Sequence, residues 1–193
     1  MRLATWNINS LTIRLPQVLH WLQANPVDVL ALQETKLSDE RFPAAEIEAA
    51  GYRAVWFGQK TYNGVALLTR SEALQVQRNI PGLDDDAARV IAGTLGDHRV
   101  IGIYVPNGQS VDSDKFPYKL RWLAALREWL RAELAAFPRL VLMGDFNIAP
   151  EDRDVYDPIG WAGQVLCTPQ ERAHFSALLE LGLHDAFRLF EQP

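Results

Sequence analysis

Five strand-like segments crowd the middle of the chain with no room for a helix between them. They are Tyr52 to Phe57, Val65 to Thr69, Leu74 to Arg78, Arg89 to Leu95 and Arg99 to Val105. Each is short, rich in Val, Ile or aromatic residues, and bounded by Gly, Pro or Asp. A parallel pair needs a crossover of about a dozen residues, so neighbours joined this closely pair antiparallel. Gly96-Asp97 reads as a tight hairpin turn between the last two. Three further strands, Leu3 to Ile8, Val29 to Gln33 and Leu140 to Gly144, are set apart by helical patterns. One helix is expected from Leu15, beside Pro16, to Ala24, stopping at Asn25-Pro26. The longest is expected over Asp114 to Phe137, closed by Pro138, with Phe116, Leu120, Leu123, Leu130, Leu134 and Phe137 at helical spacing. A last one is expected from Pro169 to Leu181. The class these patterns give is mixed α/β, with helices covering one or more largely antiparallel sheets.

A chain of 193 residues suggests one domain. With 48% hydrophobic and 22% charged residues it can bury a core without staples. Nineteen Lys and Arg against 24 Asp and Glu leave a net charge of −5. That excludes a basic module holding nucleic acid by charge alone, but not a nucleic-acid enzyme whose metal site is itself acidic. Cys167 is the only cysteine, so neither a disulfide framework nor a thiolate zinc cluster can form within the chain. A reducing compartment fits. The first residues show no signal-peptide pattern, and no apolar run approaches the ~18 residues of a membrane span. The expectation is a cytoplasmic protein with no membrane contact.

The chemistry gathers at the C-terminal ends of four strands. These ends read Asn7-Ile8-Asn9, Leu32-Gln33-Glu34-Thr35-Lys36, Tyr104-Val105-Pro106-Asn107-Gly108 and Met143-Gly144-Asp145-Phe146-Asn147. Each runs from apolar residues straight into polar or ionisable ones, and carboxyl ends of strands are where α/β folds place their sites. Singly, each has a plain explanation: Asn7 as a cap or turn residue, Glu34 as a solvated strand end, Gly144-Asp145 as a turn, Tyr104 as a strand aromatic. Jointly they suit a hard metal ion and a phosphate. Mg²⁺ takes one or two carboxylates, several waters and phosphate oxygens, with Glu34 as a plausible anchor. An aspartate beside the metal can orient or deprotonate water, while asparagines and a tyrosine donate to phosphoryl oxygens. Asp145, Asn147, Asn7, Asn107 and Tyr104 would supply these parts.

Other chemistries fit badly. The Gly58 to Gly64 loop lacks the spacing and the Lys-Ser/Thr of a phosphate-binding P-loop. There is no G-x-G-x-x-G after a strand, no H-E-x-x-H and no G-x-S-x-G. His20, His98, His174 and His184 are scattered, and Asp84-Asp85-Asp86 reads as a solvated acidic loop. Along the long helix, Arg121, Arg127 and Arg131 read as a solvated face, whereas Lys115 and Lys119 stand out at its start.

In these motifs the sequence resembles the exonuclease III branch of the endonuclease/exonuclease/phosphatase superfamily, which includes abasic-site endonucleases. Beyond the strand ends, the likeness takes in Gly58-Gln59-Lys60, Asn63-Gly64-Val65-Ala66-Leu67, Lys115-Phe116, Ile148-Ala149-Pro150 and Gly182-Leu183-His184-Asp185-Ala186-Phe187. It runs in order along essentially the whole chain, as one domain over residues 1–193. The resemblance implies a four-layered α/β sandwich, two facing mixed, largely antiparallel sheets with outer helices. It implies Mg²⁺- or Mn²⁺-dependent cleavage of phosphodiesters in double-stranded DNA at abasic sites or 3′ ends, by a monomer. Carried over by position, Glu34 would ligate the metal with Lys36 behind it, and Asn7 would orient the metal and Asp145. Asp145 would handle the proton of the attacking water or of the leaving oxygen. Tyr104, Asn107 and Asn147 would hold the scissile phosphate, while Gln59, Lys60, Lys115 and Lys119 would touch DNA backbone.

The chain departs from that family's pattern after Asn147. Family members continue with more strands, an Arg-Ile-Asp-like segment and a terminal Ser-Asp-His. Here only Val165-Leu166-Cys167 is strand-like, so the second sheet is expected to be incomplete with an open edge, and the activity weak. Two other functions stay open: a phosphodiesterase of the same superfamily on a non-DNA substrate, and a catalytically weak DNA-binding fragment.

Overall fold

The structure, a computed structural model, describes residues 1–191. All eight expected strands form: β1 (Leu3–Asn7), β2 (Val29–Gln33), β3 (Arg53–Phe57), β4 (Val65–Thr69), β5 (Leu74–Arg78), β6 (Val90–Leu95), β7 (His98–Tyr104) and β8 (Leu140–Asp145). They make two four-stranded sheets, ordered β1-β2-β4-β3 and β5-β6-β7-β8. β1 pairs parallel with β2 and β7 parallel with β8, and every other neighbouring pair is antiparallel. A helix lies in the chain between the members of each parallel pair, α1 (Leu11–Ala24) in one and α3 (Lys115–Ala136) in the other. Read from β1 in one sheet and from β8 in the other, both sheets run parallel, antiparallel, antiparallel. Two mixed sheets with their helices make an α/β sandwich, the expected class.

The backbone gathers into two compact units, residues 1–104 with 136–146, and residues 105–135 with those from 147 on. Both sheets belong to the first unit. Their inner faces meet through Val29, Ala31, Val65 and Leu67 on one side and Ile91, Leu95 and Val100 on the other. β2 and β4 are buried along their whole length, which is why they read as unbroken apolar runs rather than as alternating patterns. On the outer face of the first sheet, Leu11, Val18 and Leu22 of α1 and Ile47 of α2 (Ala44–Ala49) cover Leu30, Leu32, Ala66 and Leu68. The second unit holds most of α3, together with α4 (Pro158–Trp161) and α5 (Pro169–Leu179).

Several boundaries differ from the expectation. α1 begins at Leu11 and encloses Pro16. Its first turn is anchored from outside the helix, where Ser10 and Leu11 N–H groups donate to the carbonyls of Glu34 and Thr35 at 2.7 and 3.0 Å. No local signal reveals such a start. Val165 to Cys167 is a turn, not a strand, closed by Cys167 N–H donating to Gln164 O at 2.9 Å. α5 ends at Leu179, and β8 extends through Asp145. Among the described residues β8 pairs only with β7, and β1 only with β2. No helix among them is long and apolar enough to cross a membrane.

Candidate active site

Parallel pairing places strand ends side by side. In the first sheet Asn7 stands opposite Gln33, and in the second Tyr104 stands opposite Asp145. One amide joins the two sheets: Asn7 Nδ2 donates to Glu34 Oε1 at 2.8 Å and to Asp145 Oδ2 at 2.9 Å. Asn7 Oδ1 accepts the Asn9 N–H at 3.1 Å. Lys36 Nζ lies 2.9 Å from Glu34 Oε2 and donates to Asn9 Oδ1 at 2.5 Å. The Tyr104 phenol lies close enough to Glu34 and Asp145 for their charges to act on it. The first unit therefore brings together Asn7, Glu34, Lys36, Tyr104 and Asp145, with the Glu34 carboxylate at the centre.

The backbone beneath this cluster is held in costly conformations. Glu34 and Lys36 have φ values of 55° and 54°, in the left-handed region, where a non-glycine residue costs about 1–3 kcal/mol. Thr35 and Lys36 N–H groups are fixed by the carbonyls of Gly64 and Asn63 at 3.1 and 3.0 Å. Gly64 allows that approach, since a Cβ on it would sit 2.1 Å from Thr35 Oγ1. Gly144 does the same for β8. With φ at +146°, its missing Cβ would fall 2.0 Å from Ile103 O, and this close seat precedes Asp145.

Burial pushes the Glu34 carboxyl upward, but hydrogen bonds from Asn7 and Lys36, the Lys36 charge and the Tyr104 hydroxyl outweigh it. Glu34 therefore titrates below the ordinary carboxylate value and is ionised at neutral pH. Tyr104 moves the other way, pushed up to about 12 by burial first and then by the Glu34 charge. It stays a phenol at neutral pH and can donate a proton or hydrogen bond, not accept the role of a base. Arg89 backs it, its guanidinium 4.9 Å from the ring centre and donating to Tyr104 O at 3.2 Å. Sequence reasoning missed Arg89, and an arginine at a strand start carries no signal that would single it out.

Asn107 and Asn147 belong to the second unit. Asn107 Nδ2 donates to Asn147 Oδ1 at 3.2 Å, and Asn147 Nδ2 donates to Val105 O at 2.9 Å. Lys119 corrects the sequence expectation. It was expected on DNA backbone, but its side chain is 0% exposed and 2.5 Å from Glu171 Oε1, whose side chain is also 0% exposed. The reason lies in helical spacing: Lys119 shares the buried face of α3 with Phe116, Trp122, Leu123 and Leu126. An ammonium buried there requires a carboxylate partner. Glu171 was also missed, although Thr168-Pro169-Gln170-Glu171 is a legible capping box, and the structure forms it.

Gln59 turns inward, its Oε1 accepting from Asn63 Nδ2 at 2.7 Å and Ala88 N–H at 3.1 Å, so it fixes its own loop. Lys60 and Lys115 are exposed. Among the described residues no three His, Cys, Asp or Glu side chains gather into a metal cage. A hard ion that keeps most of its waters does not need one. Glu34, ionised and at the partly exposed end of β2, has the charge and oxygen chemistry to hold such an ion, with Asn7 fixing its orientation.

The model of the Endonuclease/Exonuclease/phosphatase family matches residues 4–172. The curated exodeoxyribonuclease III of Haemophilus influenzae is 37% identical over 97% of this chain and 75% of its own length. The solved 3′ phosphatase from Neisseria, bound to a product DNA hairpin, is 50% identical with a TM-score of 0.97, over 98% of this chain and 74% of that one. An AP endonuclease structure from Archaeoglobus fulgidus is 36% identical with a TM-score of 0.93, over 98% of this chain and 74% of that one.

Proposed function

The chain belongs to the Endonuclease/Exonuclease/phosphatase family, among its exodeoxyribonuclease III-type DNA-repair nucleases, and on that premise we propose that it hydrolyses phosphoesters of double-stranded DNA at abasic sites or 3′ ends with a divalent ion, Mg²⁺ or Mn²⁺. The observation that carries this is the Asn7 amide holding Glu34 and Asp145 together at 2.8 and 2.9 Å. It gives two adjacent carboxylates separate environments. Glu34, with donors on both oxygens and an adjacent ammonium, is the anionic anchor for an ion. Such an ion would supply positive charge against the phosphoryl oxygens.

Asp145 keeps one carboxylate oxygen tied to Asn7. It is placed to accept the proton of a water whose oxygen bonds to phosphorus as the ester P–O bond breaks. Tyr104, a phenol at neutral pH, donates toward the phosphoryl oxygens, as do the carboxamides of Asn107 and Asn147. Lys60 and Lys115, both exposed, meet DNA backbone charge. The DNA-repair nucleases among the relatives favour this substrate over a non-DNA phosphodiester. The half-identical Neisseria 3′ phosphatase supports 3′-end processing ahead of abasic-site incision. We place the enzyme in the cytoplasm, acting as a monomer.

The test uses two labelled duplexes, one with an abasic site and one with a 3′ phosphate, incubated with the protein in Mg²⁺ or EDTA. Metal-dependent product from either duplex, lost in Glu34→Ala and Asp145→Ala, is expected. Turnover that persists in EDTA or in both variants would remove the proposal.

A further inference from the structure

We propose that the buried Lys119–Glu171 ion pair is a positioning device that sets Asn107 and Asn147 for the phosphate; this rests on the phosphate role given to those asparagines above. An ammonium has three N–H donors. Lys119 directs them at Asn107 O (3.1 Å), Asn147 O (2.5 Å) and Glu171 Oε1 (2.5 Å). Two of the three acceptors are thus the main-chain carbonyls of the two residues whose carboxamides touch at 3.2 Å. Those residues lie 40 apart in the chain, and Lys119 clamps both peptides from one side-chain head.

The anchor at the far side is equally fixed. Glu171 Oε1 also accepts the Leu166 N–H at 3.0 Å, while Oε2 accepts the Thr168 N–H at 3.1 Å and the Thr168 hydroxyl at 2.6 Å. Both carboxylate oxygens are therefore locked to the start of α5. Asn147 has a φ of 48°, in the left-handed region that asparagine tolerates better than most side chains. The lysine stem also packs closely: a Cβ on Gly108, the residue after Asn107, would lie 3.2 Å from Lys119 Cδ.

The mutual attraction of the two charges does not by itself account for this pair. A buried ion pair can be replaced by apolar residues of similar volume with little or no loss of stability. An apolar pair, however, has no donor for the carbonyls of Asn107 and Asn147. The charge is retained where it does something packing cannot, which is to hold two peptides in register. Misplacing a phosphate donor by about 1 Å can lower turnover by about 10²-fold.

The decisive variant is Lys119→Met/Glu171→Leu in the full chain, which leaves no unpaired charge. It would be compared with the parent, with Asn147→Ala, and with Asn147→Ala in the double-variant background. Steady-state kinetics on the 3′-phosphate and abasic duplexes in Mg²⁺ would be read beside thermal melting. We expect a lowered melting temperature, since the Leu166, Thr168, Asn107 and Asn147 groups lose their partners, and, at temperatures where the variant is folded, a KM within a few fold and kcat lower by about 10²-fold. Asn147→Ala should then cost much less in the double variant than in the parent. Parental kcat in the double variant, or an equal Asn147→Ala penalty in both backgrounds, would overturn the positioning role. No penalty from Asn147→Ala in the parent would instead remove the phosphate role, and this inference with it. Should the double variant not fold, Thr168→Val loosens Glu171 Oε2 while keeping the ion pair. A several-fold fall in kcat at constant KM is expected there, and unchanged kcat overturns the inference.

Discussion

Asn7 Nδ2 and Asp145 Oδ2 lie 2.9 Å apart although 138 residues separate them in the chain. The second proton of the same nitrogen goes to Glu34 Oε1. A neutral donor set between two carboxylates does what neither a cation nor a water could do as simply. It ties one oxygen of each carboxylate to a common donor and offsets their repulsion.

Asn7→Ala should leave the fold intact and lower kcat/KM by about 10²-fold, the usual loss for one oriented donor in an active site. Asn7→Asp should be at least as damaging at neutral pH, because a third carboxylate replaces the donor. It should recover partly on acidification, where a protonated carboxyl can donate once. Rate profiles against pH for both variants would check this, and a parental profile in Asn7→Asp would deny the bridge any catalytic weight.

Tyr104 should ionise late, near its value of about 12, in a phenolate absorbance titration. The late transition should vanish in Tyr104→Phe. Its folded pKa lies above the reference value of 10.0, so its contribution to stability is fully present below that value and is lost as pH rises through about 12. The alkaline side of the activity profile below pH 10 should then be the same for substrates that do and do not engage the phenol.

Glu34 should keep its charge below the ordinary carboxyl value of 4.5, since its folded pKa is lowered. Stability from its donors is present above 4.5 and is lost as pH falls through the folded value. Mn²⁺ binding followed by calorimetry in the absence of DNA should weaken at least about tenfold in Glu34→Gln. Equal affinity in parent and variant would mean that the ion rests elsewhere.

Gly144→Ala should be among the most harmful single-methyl changes in this chain. The added Cβ would meet Ile103 O at 2.0 Å with φ at +146°, so β8 must shift from β7 directly before Asp145. A loss of about 3 kcal/mol is expected from such strain, or roughly 6–12 °C in melting temperature. An unchanged melting curve would contradict the packing described at that strand.

The strands were legible because apolar runs bounded by Gly, Pro and Asp are local signals, and Glu34 and Asp145 were legible as ionisable residues at strand ends. The start of α1 was not, because its partners are the carbonyls of Glu34 and Thr35, distant in sequence. Lys119 was misassigned for a related reason. A lysine at the start of a basic helix looks like a surface cation until the turn above it proves to be Phe116, Trp122 and Leu123 on the same face. Its partner lies 52 residues away, a pairing that no spacing rule reports.

The parallel pairing of β1 with β2 and of β7 with β8 bears on how the molecule comes to be made. The antiparallel pairs in the middle of the chain close short loops and can zip early, whereas both parallel pairs wait for a helix-length crossover and carry a larger entropic barrier. The contact between β1 and β8 spans nearly the full stretch of sequence that builds the two sheets. Asn7, Glu34 and Asp145 would therefore come into register only at the final step of folding. Recovery of turnover after dilution from denaturant should lag behind recovery of secondary structure, which makes catalysis itself the latest clock on the folding pathway.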